Sequence, residues 1–222
     1  MEKSVILLAK SYKHHNYCVA GIDRMTGEWI RFVSDNATIQ HAISQEDMAC
    51  ENGTIPDVMD IVNVRCLSYS PSEHQSENYL IDPKYYWNKV GTATAAEVLA
   101  VHPPERFPAL FYNTGKTVTD EEIQALPMTK RRSLSLIQPS NVFINIKLWP
   151  GNSNKKLTAN FDYEGTTYKY INITDPVILA KGQNVAEGCH PVNRKVVFIV
   201  SLGDTFIQDN NHYKLIASII DL

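Results

Sequence analysis

Short apolar runs of strand length, broken by turn residues about every ten positions, leave this 222-residue chain few ways to fold. Residues 4–9, 17–22 and 29–34 are three such runs, and their spacing predicts an opening β-meander. The first, Val5-Ile6-Leu7-Leu8-Ala9, is a short apolar run of the kind found in a buried strand. The third alternates, with Trp29, Arg31 and Val33 on one face and Ile30, Phe32 and Ser34 on the other. Met25-Thr26-Gly27-Glu28 supplies the turn between the second and third.

The pattern continues beyond the meander. Residues 60–67, 133–137, 142–148, 157–163, 166–173, 195–200 and 213–220 read as strands, and Glu164-Gly165 marks a hairpin. Helical stretches are few. They are residues 94–101 and 119–126, the second capped by Thr119 with Glu122 at the reciprocal position. Ser44 with Asp47 resembles a further short helix start, and Thr174-Asp175-Pro176 opens a turn or short helix. Ser201-Leu202-Gly203 reads as a turn. The expected class is mostly β with minor α, and short strands with frequent turns suit a barrel or a sandwich. Pro127 and Lys130-Arg131-Arg132 place the lobe boundary near residues 127–132, giving lobes of 1–128 and 129–222.

Charge separates the same halves. The formal net charge is -3, yet residues 1–128 carry ten basic against seventeen acidic side chains, and residues 129–222 carry eleven against seven. An acidic segment with no lysine or arginine lies between Arg31 and Arg65. Such asymmetry marks either a polyanion-binding half or two differently solvated lobes. Cys18, Cys50, Cys66 and Cys189 lack metal-ligand spacing, and a chain of this length can bury a core without cross-links. No apolar stretch reaches the length of a membrane span, so a cytoplasmic protein is expected, with no cofactor. Oligomeric state is not readable from these features.

Several strings carry a likeness together: Ile6-Leu7-Leu8-Ala9-Lys10-Ser11, Gly27-Glu28-Trp29-Ile30-Arg31-Phe32-Val33-Ser34 and His74-Gln75-Ser76-Glu77-Asn78 near the start. Thr174-Asp175-Pro176, Ser201-Leu202-Gly203-Asp204 and Tyr213-Lys214-Leu215-Ile216-Ala217 follow near the end. In that order, over nearly the whole length, the sequence resembles the dual OB-containing domain family of bacterial and phage proteins. The resemblance implies two OB-like barrels. It departs from the family at Lys13-His14-His15-Asn16-Tyr17, where glycines and an arginine are expected, and at Phe32, where proline is common.

For chemistry, Lys10, Lys13 and Arg31 interleave with Tyr12, Tyr17 and Trp29 in the meander. Cations track phosphates and aromatic faces stack bases, so this mixture suits single-stranded nucleic acid or a nucleotide-like ligand. The alternative is that Trp29 is core and Arg31 pairs internally with Asp35 or Glu77. His74, Glu77 and Asn78 would rim the expected groove. His74 with Glu77 or Asp82 also permits a nucleotide-directed hydrolase or nuclease. A third reading is an adaptor for a protein partner, in a phage-defence or counter-defence setting, docking through the acidic segment. His14-His15 is an exposed pair suited to adventitious metal. A noncatalytic binding module, with no membrane partner, is the leading expectation.

Overall fold

The computed structural model describes every residue except His14, Glu73 and Ile207, and of Lys13 the backbone alone. The chain divides into two compact units, Met1–Pro103 and Pro104–Leu222. The protein is mostly β, as its pattern of short apolar runs requires.

In the first unit, β1 (Glu2–Lys13), β2 (Asn16–Asp23) and β3 (Trp29–Val33) form the meander. β4 (Asp60–Tyr69) and β5 (Asn78–Ile81) follow, then β6 (Asn88–Thr92) and α1 (Ala95–Val101). β5 lies parallel to β3 and antiparallel to β4, and β4 returns to the first half of β1. The ladder order β1-β2-β3-β5-β4-β1 therefore closes a five-stranded barrel, with β6 attached outside it along β4. Val5, Leu7, Val19, Ile30, Phe32, Val62 and Val64 belong to its core.

The second unit repeats that order with one change. β7 (Thr117–Thr119) and α2 (Asp120–Gln124) come first, then β8 (Leu134–Ile137) and β9 (Ser140–Lys147). β10 (Lys156–Tyr163), β11 (Thr166–Ile173), α3 (Pro176–Gln183), β12 (Gly188–Pro191), β13 (Val196–Phe206) and β14 (Asn211–Asp221) complete it. β9-β10-β11 is again a meander, β14 runs parallel to β11, and β13 pairs with β14. Here β13 pairs with β8 and β10 with β9, so the place of β1 is taken by two strands joined at Gln138-Pro139. Proline cannot donate to a ladder, which accounts for the break.

Local signals behave as their chemistry demands. Thr119 and Glu122 bond reciprocally at the start of α2, as Thr94 and Glu97 do at α1. Asp175 caps α3 ahead of Pro176, and Glu164 and Gly165 take the positive φ values of a tight hairpin. Ser44 and Asp47 make the bonds of a capping box, but no helix follows, and Cys50 bridges to Trp87 instead. Ser201-Leu202-Gly203, expected as a turn, lies inside β13 beside a bulge. The division at Pro103/Pro104 falls ahead of the boundary expected near 127–132, because β7 pairs with β14 and takes residues 117–124 into the second unit. No described helix is long and apolar enough to cross a membrane.

Candidate nucleic-acid interface

Trp29, Arg31 and Val33 do share a face of β3, but that face is not open. Ile6, Leu8, Ala20 and Ile22 are as buried as Val5, Leu7 and Val19, so the first meander is covered on both sides. Arg31 is only 5% exposed, with Nε 3.4 Å from Glu77 Oε1 and its backbone N–H donating to the Glu77 carbonyl. The parallel pairing of β3 with β5 sets Arg31 opposite Asn78 and so delivers Glu77. Asn78 is buried too, its Nδ2 donating to Gln75 Oε1 at 3.0 Å. His74 is half-buried in the loop before β5.

The remaining expected residues lie elsewhere. Trp29 is half-buried, its ring set edge-on to His102. Lys10 donates to the Pro56 carbonyl at 2.9 Å and faces Asp57 at 3.3 Å, with its ammonium over the Tyr17 ring. The Lys13 side chain and His14 lie outside the described residues. Arg31, Glu77 and Asn78 thus come together as an internal polar pairing, and the expected groove lacks its central cation. An unpaired charge at that depth costs several kcal/mol, which is why the carboxylate accompanies it.

The second meander is built differently. Along β10, Leu157, Ala159, Phe161 and Tyr163 are buried, while Lys156, Thr158 and Asn160 point away from the core. On β9, Val142 and Ile146 face inward, and Phe143, Asn145 and Lys147 face outward. On β11, a bulge opposite Ala159–Phe161 resets the alternation, so Tyr168 is buried and Tyr170 and Asn172 emerge. Tyr170 has φ 56°, a left-handed conformation uncommon for an aromatic residue, and Asn160 Oδ1 accepts its backbone N–H at 2.7 Å. That bond turns the Tyr170 ring outward, where it is 55% exposed.

The outward side chains line a cavity of about 600 Å³, within the range of ligand sites. Lys116, Lys147, Lys156 and Lys214 contribute four cations, and Trp149, Tyr170 and Tyr213 contribute three rings. Lys147 Nζ sits 4.0 Å from the Trp149 ring centre and Lys116 Nζ 5.1 Å from that of Tyr170. Asn145, Thr158, Ile171 and Asn172 complete the lining, which includes no carboxylate among the described residues. The neighbouring Lys155 is engaged elsewhere. Its Nζ donates to the Gln183 and Val185 carbonyls at the C-terminal end of α3, anchoring the β9–β10 loop.

Lys214 differs from its neighbours in being 1% exposed. Its ammonium donates to the Asn113 carbonyl and, at 2.9 Å, to Asn113 Oδ1, while Asn113 Nδ2 donates to Glu122. Burial pushes the lysine down to about 7, against a smaller upward pull from the Glu122 carboxylate. A larger concavity of about 830 Å³ in the first unit, lined by Cys50, Glu51, Tyr86 and Lys89 among others, holds one acid and one base in its lining. It lacks the concentration of cations and rings found on β9–β11.

Reasoning from the sequence alone misses this site. Its signals are the basic balance after residue 128 and the alternation Phe143-x-Asn145-x-Lys147-x-Trp149. By contrast, the run Val5–Ala9 of the first meander is buried throughout.

A closed five-stranded barrel, followed by a sheet with the same strand order, is the architecture of OB-fold binding modules. The dual OB-containing domain model matches residues 3–219, and the chain belongs to that family. No curated protein matches it.

Proposed function

We propose that this chain binds single-stranded nucleic acid through the outward face of β9, β10 and β11 in its second unit. The observation that carries the reading is the convergence of four lysines and three aromatic rings on one cavity, with no carboxylate among the described residues that line it. Lysines at the rim follow a phosphate backbone while exposed rings offer faces to successive bases. The described lining brings no histidine, cysteine or acid to the cavity, which favours retention of a ligand.

The hydrolase reading loses one of its two candidate carboxylates, since Glu77 is spent on Arg31. The adaptor reading loses part of its charge, because Asp47 bonds Ser44, Asp57 faces Lys10 and Asp60 pairs with Lys89. Fluorescence anisotropy with short DNA and RNA single strands tests the proposal. Trp149→Ala and Tyr170→Ala should each weaken binding by roughly 1–3 kcal/mol, the worth of one stacked base. Unchanged affinity in both would sink it.

A further inference from the structure

β10 and β11 meet at an uneven step. Ala159 pairs with Ile171 and Phe161 with Tyr168, so Asn160 alone stands opposite both Lys169 and Tyr170. A bulge of this kind leaves a residue out of the ladder and re-aims a side chain. Lys169 and Tyr170 are both exposed, and Tyr170 holds φ 56°. A bulky residue keeps that conformation only where its surroundings hold it there. Here the holder is a side chain, since Asn160 Oδ1 accepts the Tyr170 backbone N–H at 2.7 Å. Asn160 is not among the described residues that line the cavity, whereas Tyr170 is. Its route to a ligand therefore runs through the tyrosine.

We infer that Asn160 is a positioning residue: its bond presets the Tyr170 ring as a stacking face, and that face makes the site prefer a base-bearing strand to a bare polyanion. The inference rests on the proposed nucleic-acid reading. Lysine ammoniums attract any row of phosphates and carry no preference for a strand with bases. A ring face adds affinity only where a base can lie on it. A ring that must first turn outward binds in proportion to the time it spends there. A side chain that fixes it beforehand raises affinity without touching the ligand.

Anisotropy on the whole chain, at fixed low salt, compares two labelled single strands about eight nucleotides long. One is oligo(dT); the other is built of abasic tetrahydrofuran units with the same number of phosphates. The unaltered protein should prefer oligo(dT) by about tenfold or more. Tyr170→Ala should cut that preference at least roughly fivefold. Asn160→Ala should cut it roughly threefold to tenfold, the range of one lost hydrogen bond. The double variant should lose no more than Tyr170→Ala alone, because the two side chains act as one. Asn160→Asp keeps the acceptor and adds a negative charge, so it should weaken both strands alike and retain the preference. Circular dichroism confirms folding of each variant. Full preference in Asn160→Ala, a further loss in the double variant or a lost preference in Asn160→Asp overturns the positioning role and leaves the groove standing. Equal binding of the two strands by the unaltered protein overturns the stacking face. Failure of both strands to bind overturns the nucleic-acid reading as well.

Discussion

At the scale of single residues, two buried cations show how much a side chain's surroundings decide. Arg31 is legible in the sequence as a charge beside aromatic residues, and the alternation correctly sets Trp29 on its face. What the sequence hides is the cover over that face, because burial depends on neighbours distant in the chain. Glu77, 46 residues away, reaches Arg31 only through the β3–β5 pairing. Lys214 stands in the sequence as one residue of a familiar string, yet it is the most deeply enclosed cation of the candidate groove. Its folded-state value near 7 lies below the 10.5 of an unhindered lysine, so between those limits the unfolded chain holds more proton. Stability should therefore rise with pH from about 7 to 9.5 and gain nothing from this group below 7. Urea unfolding at several pH values checks this, with Lys214→Met expected to flatten the slope whatever its absolute stability. An equal slope in both proteins would count against a proton-poor Lys214.

Secondary-structure elements are the most readable level. Thr119 with Glu122, Asp175 with Pro176 and Glu164-Gly165 act through neighbours three or fewer positions away, so their chemistry is written locally. Gly203 misleads because a glycine marks a bulge as readily as a turn. The boundary misleads because β7 pairs with a strand about ninety residues later, and no local signal announces such a partner. Close approach of strands gives the sharpest test at this scale. A Cβ added to Gly21 would stand 2.0 Å from the Ile6 carbonyl oxygen, a backbone atom that cannot move aside without parting β1 from β2. Gly21→Ala should cost about 3 kcal/mol or more, at the severe end of single substitutions. A melting temperature within about 2 °C of the unaltered protein would show that the ladder adjusts.

For the whole molecule, the informative contrast is between two units of like strand order and unlike charge. Divided where the structure divides it, the first unit holds eight basic and thirteen acidic residues, the second thirteen and eleven. Overall charge is thus a poor guide to where a polyanion settles. If binding uses Lys116, Lys147 and Lys156, the logarithm of affinity should fall with that of salt concentration with a slope near -2. Lys147→Ala with Lys156→Ala should reduce that slope by about 1.4, whereas Lys10→Ala, whose ammonium is tied to Pro56 and Asp57, should leave it unchanged. A slope that responds to Lys10 and ignores the other pair would move the interface to the first unit.

The junction at Gln138-Pro139 bears on how the second unit yields to force. The first barrel is a hoop fastened all round by hydrogen bonds, so widening it means breaking some. The second is fastened at one point by the polypeptide itself, where β8 ends and β9 begins. Next to that buckle β9, which carries Asn145 and Lys147, is held between β10 on one side and the short β12 on the other. The half of the molecule that gathers the lysines and rings is thus also the half whose ring of strands is joined, at one place among the described residues, by chain in place of a ladder.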